Sequence, residues 1–226
     1  MSTQAPISVI QNGLVLCLDA GNIKSYLGTG TTWTDISKNG YNGVLVNGPT
    51  YDNRGLILDG TNDYAYVSHG GALNFATGNF TVSVWHKNNN SSTGYNGIIT
   101  NDYAGDNSWK IFRDNGEAFY KARCGGATVL AFPSYTVGRF HFYTYTFNGS
   151  NIQLYLDGSA TGSTAASSPT AGSNNYIAFG SYRYGDAVNL YYLTSQVIGP
   201  VMLYNRSLTS SEILQNYNST KSRFGL

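Results

Sequence analysis

The sequence is poor in charge. Thirteen Lys and Arg and twelve Asp and Glu among 226 residues give a formal net charge of +1, and the basic residues form no run. Nucleic acids and anionic membrane surfaces attract proteins with a basic patch or stripe. We therefore expect no nucleic-acid partner.

Long apolar runs are also missing. No stretch approaches the roughly 20 residues that a membrane-spanning helix needs. The opening MSTQAPISVIQ has neither the cationic start nor the apolar stretch of a secretory signal. The sequence therefore predicts no membrane insertion and no export.

Cysteine is scarce. Cys17 and Cys124 are far apart, with no CxxC motif and no Cys/His spacing typical of a zinc site. Two cysteines in a chain made inside a cell are usually reduced, so we expect two buried thiols, with a disulfide as the alternative.

Residues for catalysis are few. The only glutamates are Glu117 and Glu212, and there is no D-x-D, D-x-E or E-x-D-x-x-E motif. A retaining glycosidase needs two carboxyls roughly 5–5.5 Å apart. HExxH and G-x-S-x-G motifs are absent as well. We expect a protein that is not an enzyme, with a glycoside hydrolase as a remote alternative.

Glycine, tyrosine and alternating patterns are plentiful. In NFTVSVWHK, one face of the predicted strand carries Phe80, Val82 and Val84, and the opposite face carries Trp85. Asn-Gly and Asp-Gly pairs, which favour tight turns, recur throughout. Many short strands between turns predict an all-β antiparallel sandwich. The stretch 161–175 is predicted to be a long surface loop within the same domain.

One short helix is predicted near the C-terminus. Thr209 and Glu212 fit a capping box, and Leu208 and Ile213 are placed as a hydrophobic staple. We expect about ten helical residues, with Ile213, Leu214 and Tyr217 facing the sandwich.

Several sequence blocks resemble the laminin G-like branch of the concanavalin A-like lectin/glucanase jelly rolls. The resemblance implies an all-β fold, an antiparallel two-sheet jelly-roll sandwich with one short C-terminal helix. Residues 1–12 would form an N-terminal arm and residues 13–226 a single domain. The blocks are GLVLCLDAGN (13–22), TTWTDISKNGYNGVLVNGPTYD (31–52), LILDGTNDYAYV (56–67), FTVSVWHK (80–87), FHFYTYTFNGSNIQLYLDG (140–158) and VMLYNRSLTSSEILQNYN (201–218).

The resemblance also implies a function. Stand-alone members with this type of C-terminal ending are similar to structural proteins of tailed phages, especially marine ones. That implies a virion component such as a capsid decoration, fibre or tail protein, assembled in the host cytoplasm. Its partners would be other virion proteins or copies of itself, and host-surface glycans. The alternative is a calcium-dependent carbohydrate-binding lectin or adhesion module.

A calcium site has candidate ligands in two loops. Calcium takes six to eight oxygens, and Asn62 and Asp63 could supply two side chains, with Asp102 or Asp106 adding a third if the loops meet at one rim. Gly199-Pro200 stands where the family often has an acidic pair, which weakens this expectation.

The alternative for the first loop is a plain hairpin turn at Asp59-Gly60 followed by solvated polar residues. We expect excess calcium to leave the melting temperature unchanged. Stabilisation of about 2.7 kcal/mol at a hundredfold excess over Kd would overturn that expectation.

Large aromatic side chains are the other candidates for binding. Trp85, Tyr103 and Trp109 could contact a glycan or a partner, since sugar C–H faces stack on exposed aromatic rings. The alternative is that they pack under a loop or against a neighbouring subunit. The strand FHFYTYTF is apolar on both faces, which predicts that long loops or another chain cover its second face.

Overall fold

We describe the fold from a computed structural model. It describes residues 8–91, 94–101, 108–126, 128–170, 175–183 and 190–226, with only the backbone at 183 and 190–192. These residues form eighteen β-strands, an α-helix and a 3₁₀ helix. The elements are β1 (Leu14–Leu18), β2 (Thr32–Trp33), β3 (Gly43–Val46), β4 (Thr50–Asp52), β5 (Gly55–Asp59), β6 (Tyr64–Ser68), β7 (Phe80–Asn88), β8 (Asn96–Asn101), β9 (Trp109–Arg113), β10 (Lys121–Cys124), β11 (Val129–Ala131), β12 (Phe140–Phe147), β13 (Asn151–Leu156), β14 (Ser159–Ala165), β15 (Tyr176–Phe179), β16 (Ser181–Arg183), β17 (Leu190–Leu193), β18 (Ser195–Tyr204), α1 (Ser210–Thr220) and the 3₁₀ helix Lys221–Phe224.

Two eight-stranded antiparallel sheets make the sandwich. The first sheet has the order β14-β13-β12-β7-β18-β5-β4, with β1 also paired to β18, and the second has the order β11-β10-β9-β8-β15-β6-β3-β2. A two-stranded ribbon, β16-β17, lies against β8. The predicted all-β, two-sheet jelly-roll sandwich with one short C-terminal helix is confirmed.

The alternation of side chains along β7 and β12 divides the apolar residues between two clusters. Val82 and Val84 point into the core between the sheets, together with Tyr143 and Tyr145 of β12. Trp85 points the other way, into a second cluster outside the first sheet. Two-faced burial explains why these strands are apolar on both sides, since each face meets other apolar groups.

The chain's own C-terminal end covers the second cluster. The indole of Trp85 stacks on Phe224 at 4.1 Å and on Tyr217 at 5.5 Å between ring centroids, and its N–H donates to the Thr220 hydroxyl at 2.8 Å. The expectation that long loops or another chain cover this face was therefore wrong. A local helix does so because the amphipathic α1 follows β18 directly along the chain.

Helix α1 begins as the sequence predicts. The Thr209 hydroxyl accepts from the backbone N–H of Glu212, whose carboxylate accepts from the backbone N–H of Thr209. Ile213 is buried, and Leu214, although 45% exposed, lies against the β13–β14 turn, where a Cβ on Gly158 would be 3.1 Å from its Cδ1. Asn216 is buried as well, because its amide accepts from the Ile10 N–H and donates to the hydroxyl of Tyr204, at 2.8 and 3.0 Å.

The Asp59-Gly60 pair does not make a hairpin. Asp59 ends β5 of the first sheet, and β6 of the second sheet begins at Tyr64, so the pair starts the connection from one sheet to the other. Asn96-Gly97 is not a turn either and lies within β8. A Cβ on Gly97 would overlap the Ser181 carbonyl of the ribbon, so close backbone approach requires glycine there.

Three other expectations concern the predicted 161–175 loop, the two cysteines and the N-terminal arm. Residues 159–165, which overlap the predicted loop, form β14. Cys17 and Cys124 are free, buried thiols, as predicted. Val9 and Ile10 of the predicted N-terminal arm pack against the second cluster, while residues 1–7 lie outside the described part of the chain. No helix among the described residues has the length and apolar content to cross a membrane.

Candidate functional site

A cavity of about 340 Å³ opens at one end of the sandwich, and we call it the end pocket. Its walls come from the start of β1, the 34–42 loop, the 69–79 loop and the residue after β18. Leu73 and Phe75 are buried in its floor, whereas Asn39, Thr77 and Asn205 are exposed at its mouth. The lining residues are Val15, Asn39, Tyr41, Gly71, Ala72, Leu73, Phe75, Ala76, Thr77 and Asn205.

Buried polar groups hold the first wall, the 69–79 loop. Nδ1 of His69 accepts from the backbone N–H groups of Gly71 and Leu73 at 3.1 and 3.3 Å, so Nε2 carries the proton and donates to the Asn101 side-chain oxygen at 3.2 Å. The Leu73 carbonyl accepts from the Asn101 amide at 3.2 Å and from the Trp109 indole at 2.8 Å. Satisfied buried networks of this kind rigidify the backbone around them.

A single carboxylate organises the second wall, the 34–42 loop. Asp35 is buried, and one of its oxygens accepts from the backbone N–H groups of Cys17 and Ser37, both at 2.9 Å. The other oxygen accepts from the Ser37 hydroxyl at 2.8 Å and from the Tyr41 N–H at 3.1 Å. The loop is thereby fixed to β1, and the Tyr41 ring packs against the core at the side of the pocket.

The outer face of the second sheet carries a second candidate surface, which we call the tyrosine row. Tyr64 and Tyr66 are two residues apart on β6, so both point outward while Ala65 and Val67 point into the core. Tyr176 lies beside them on β15, with ring centroids 5.8 Å apart and edge-on to Tyr66. All three rings are partly exposed. Burial, with a smaller effect of Tyr66, raises the pKa of the Tyr64 hydroxyl, so it stays a neutral donor.

The aromatic residues predicted to contact a glycan or partner are elsewhere. Trp85 and Trp109 are fully buried, so neither can contact a ligand in this structure. Trp85 packs under the C-terminal helices, and Trp109 supports the first pocket wall through its indole N–H. Tyr103 lies outside the described residues.

The residues predicted to bind calcium are only partly described. Asn62 is exposed, and Asp63 is buried, with one carboxylate oxygen 3.3 Å from the backbone nitrogen of Asp59. Burial raises the pKa of Asp63. Asp102 and Asp106 lie outside the described residues. In the part of the chain that is described, no three His, Cys, Asp or Glu side chains form a group able to hold a metal.

Asp63 and Asn101 lie near opposite ends of β6. Asp63 precedes this strand, whereas Asn101, the residue before Asp102, contacts His69 just after it. Five strand residues span about 16 Å.

The carboxylate of Asp59 is used within its own loop. It accepts from the backbone N–H groups of Thr61, Asn62 and Asp63, and these bonds shape the connection between the sheets. The same bonds, the one from Thr61 above all, lower the pKa of Asp59.

The two glutamates are engaged in ion pairs. Glu117 lies 2.8 Å from the Lys121 ammonium. The carboxylate of Glu212 pairs with the Arg206 guanidinium, whose hydrogen bonds are the main reason that the pKa of Glu212 falls to about 2. Neither lines the end pocket or lies in the tyrosine row. A general acid at neutral pH needs a raised pKa, so Glu212 is unsuited to that role.

Sequence reasoning missed both surfaces. The tyrosine row has a local signal, because DYAYV places two tyrosines on one face of a strand whose other face is apolar. The end pocket has no local signal, since Tyr41, Phe75 and Asn205 come from distant parts of the chain.

Comparisons with known proteins agree with the fold. The Laminin_G_3 family model, described as Concanavalin A-like lectin/glucanases superfamily, matches residues 59–214. A sequence search of curated proteins finds no match.

Solved structures resemble the chain in fold. The botulinum neurotoxin serotype D binding domain has a TM-score of 0.69 at 17% identity, over 93% of this chain and 53% of that one. The serotype D ligand binding domain in complex with N-acetylneuraminic acid has a TM-score of 0.70 at 16% identity, over 93% and 52%. A Trypanosoma rangeli sialidase in complex with sialic acid has a TM-score of 0.67 at 20% identity, over 93% and 33%. The chain thus spans about half the length of the toxin domains and a third of the sialidase.

Proposed function

Since the chain belongs to the Laminin_G_3 family of the concanavalin A-like lectin/glucanases superfamily, we propose that it is a non-enzymatic domain that binds a glycan on the tyrosine row. The observation that carries the proposal is the placement of Tyr64, Tyr66 and Tyr176 together on one outward sheet face. Partly exposed aromatic rings on one sheet face are the kind of surface on which the C–H faces of a sugar chain stack.

The chemistry of tyrosine suits this role. Each ring offers an apolar face, and each phenol offers a hydroxyl that donates and accepts, so one side chain can stack on a sugar and bond to its hydroxyl groups. The backbone of β6 and β15 fixes the three rings, which limits the entropy lost on binding. A solved relative in fold, the serotype D toxin domain, was crystallised with N-acetylneuraminic acid, which supports including acidic glycans among those tested.

The engaged glutamates support a binding role without catalysis. A retaining glycosidase would need two carboxyl groups close together, one with a raised pKa. Asp63 has a raised pKa, but its carboxylate is turned back onto the Asp59 backbone, and it lines neither the end pocket nor the tyrosine row.

The test is a glycan array followed by calorimetric titration of the best ligand. Tyr66→Ala and Tyr64→Ala should each weaken binding about fivefold or more, because one aromatic stacking contact contributes about 1 kcal/mol. Tyr51→Ala is the matched control: it removes another tyrosine, 45% exposed, from β4 of the first sheet. Equal affinities for all four proteins, or no array signal at all, would overturn the proposal.

A second candidate function is a structural role in a virus particle, as the resemblance to tailed-phage proteins implies. The observation that favours it is an apolar patch beside a groove of about 240 Å³, in which Ile23, Leu27 and Tyr51 are 73%, 78% and 45% exposed. Exposed apolar patches commonly mark protein contacts. We expect self-association that increases with concentration in analytical ultracentrifugation and is lost in Leu27→Asp. A wild-type monomer at every concentration would count against this candidate.

A further inference from the structure

We propose that the end pocket is a separate binding site for one small, uncharged, polyhydroxylated molecule, such as a single neutral sugar. The proposal does not rest on the tyrosine row, because the two surfaces share no residue. It rests on the volume of the pocket, the hydrogen-bonding groups at its wall, the absence of charge from its lining, and the rigidity of its two loops.

The size and shape of the pocket suit a small molecule. Its volume of about 340 Å³ is at the lower end of the range of about 300–1,000 Å³ that is usual for ligand pockets. Leu73 and Phe75 give an apolar floor, and exposed polar side chains surround the mouth. Ligand sites commonly combine an apolar wall with a few converging polar groups.

The polar groups at the wall are available to a ligand. The hydroxyls of Tyr41 and Thr77 and the side-chain amide of Asn205 make no hydrogen bond to any described residue. Asn39 donates its amide to the Leu14 carbonyl at 3.2 Å, which leaves its side-chain oxygen facing no donor of the described chain. These hydroxyl and amide groups both donate and accept, as the hydroxyl groups of a sugar require.

The lining residues also define what the pocket excludes. None of the ten residues is Asp, Glu, Lys, Arg or His. Protein sites for calcium and magnesium usually include carboxylate oxygens, and a carboxylated or phosphorylated ligand is normally met by Arg or Lys. Uncharged amides and hydroxyls beside an aromatic ring instead favour an uncharged ligand.

The pocket is preformed. Asp35 fixes one wall, and the network of His69, Asn101 and Trp109 fixes the other. Between them, Phe75 has a φ of 52°, in the left-handed region that a non-glycine residue rarely adopts. It is held there by stacking on Phe80, with ring centroids 4.8 Å apart and planes within 6°. Strained, tightly held backbone is typical of ligand sites, where it sets the shape in advance.

The experiment is a titration followed by ¹H–¹⁵N NMR. The unlabelled probes are D-glucose, D-galactose and N-acetyl-D-glucosamine, with N-acetylneuraminic acid as the charged comparator. At least one neutral sugar should cause saturable shifts of the backbone amides of residues 39–41, 71–77 and 205. The anionic sugar should bind at least tenfold more weakly at this site.

Three variants assign the shifts to the pocket. Ala76→Leu fills the cavity and should abolish saturable binding, and Asn205→Ala removes one polar partner and should weaken binding about fivefold. Tyr66→Ala changes only the tyrosine row and should leave these shifts unchanged. No saturable shift with any neutral sugar, or shifts that persist unchanged in Ala76→Leu, would overturn the proposal. Array binding that is lost in Tyr66→Ala would still support the tyrosine row after such a result. Failure of the pocket and failure of the tyrosine row are therefore distinguishable.

Discussion

Replacing Glu212 by Gln should lower the free energy of unfolding at pH 7 and remove part of its dependence on acid. The carboxylate closes the capping box on Thr209 and lies 2.6 and 3.0 Å from two nitrogens of Arg206. The hydrogen bonds from Arg206 outweigh the effect of burial and lower the pKa of Glu212 from 4.5 to about 2.

The magnitude follows from that pKa. A fall from 4.5 to about 2 between the unfolded and folded states corresponds to about 3 kcal/mol. Both Glu212 and Arg206 side chains are 26% exposed, so solvent screening reduces the expected contribution to about 1–2 kcal/mol. Because the folded pKa lies below the unfolded one, the contribution is complete above about pH 4.5 and is lost as the pH falls toward 2.

The assay is urea unfolding of wild type and Glu212→Gln at several pH values between 7 and 2.5. The difference in unfolding free energy should be about 1–2 kcal/mol at pH 7 and approach zero near pH 2.5. Glu117→Gln is the control, since it removes a partly exposed pair with Lys121 outside any helix and should cost about 1 kcal/mol or less. A difference for Glu212→Gln that is the same at pH 7 and pH 2.5 would refute the electrostatic argument.

Three further predictions concern buried groups. Trp85→Ala should lower the free energy of unfolding by about 3–5 kcal/mol in urea titrations, whereas Tyr51→Ala, at an exposed ring, should cost about 1 kcal/mol or less; similar costs would contradict the packing described. Burial lowers the pKa of His86 from 6.5 to about 3, so stability should fall as the pH drops from 6.5 toward 3, and His86→Gln should show a shallower fall over that range in the same titrations. Burial raises the pKa of both Cys17 and Cys124 to about 12, so a thiol reagent such as Ellman's should titrate both in denaturant and neither in the native protein; rapid native labelling would show that the strands open.

Local patterns predicted the strands and the helix, but not how the strands pair. Side chains alternate along a strand whatever its neighbours are, so NFTVSVWHK reveals two faces by itself. The turn at Asp59-Gly60 is also local, yet whether the next strand joins the same sheet depends on the rest of the sandwich. The helix shows the same limit: Leu214 is more apolar than Asn216, but only the positions of Ile10 and Tyr204 decide which of the two is buried.

The site was harder to predict than the fold. Trp85 and Trp109 were candidates for a binding surface because sugar C–H faces stack on exposed aromatic rings, and packing was the alternative. In this fold the C-terminal helices cover Trp85, whereas the 69–79 loop covers Trp109. The tyrosine row was accessible to pattern reasoning, whereas the end pocket combines segments from residues 15 to 205, which only the folded chain brings together.

The position of the C-terminal helices limits where a ligand can bind. They cover the outer face of the first sheet, where Trp85, Phe142 and Phe140 would otherwise form an apolar surface. The tyrosine row on the outer face of the second sheet and the end pocket both lie away from these helices. Trp109 then has a function different from the one predicted for it. Its indole N–H positions the Leu73 carbonyl, so Trp109→Phe should weaken sugar binding in the end pocket while leaving binding on the tyrosine row unchanged, and equal loss at both surfaces would show that the variant had unfolded the domain.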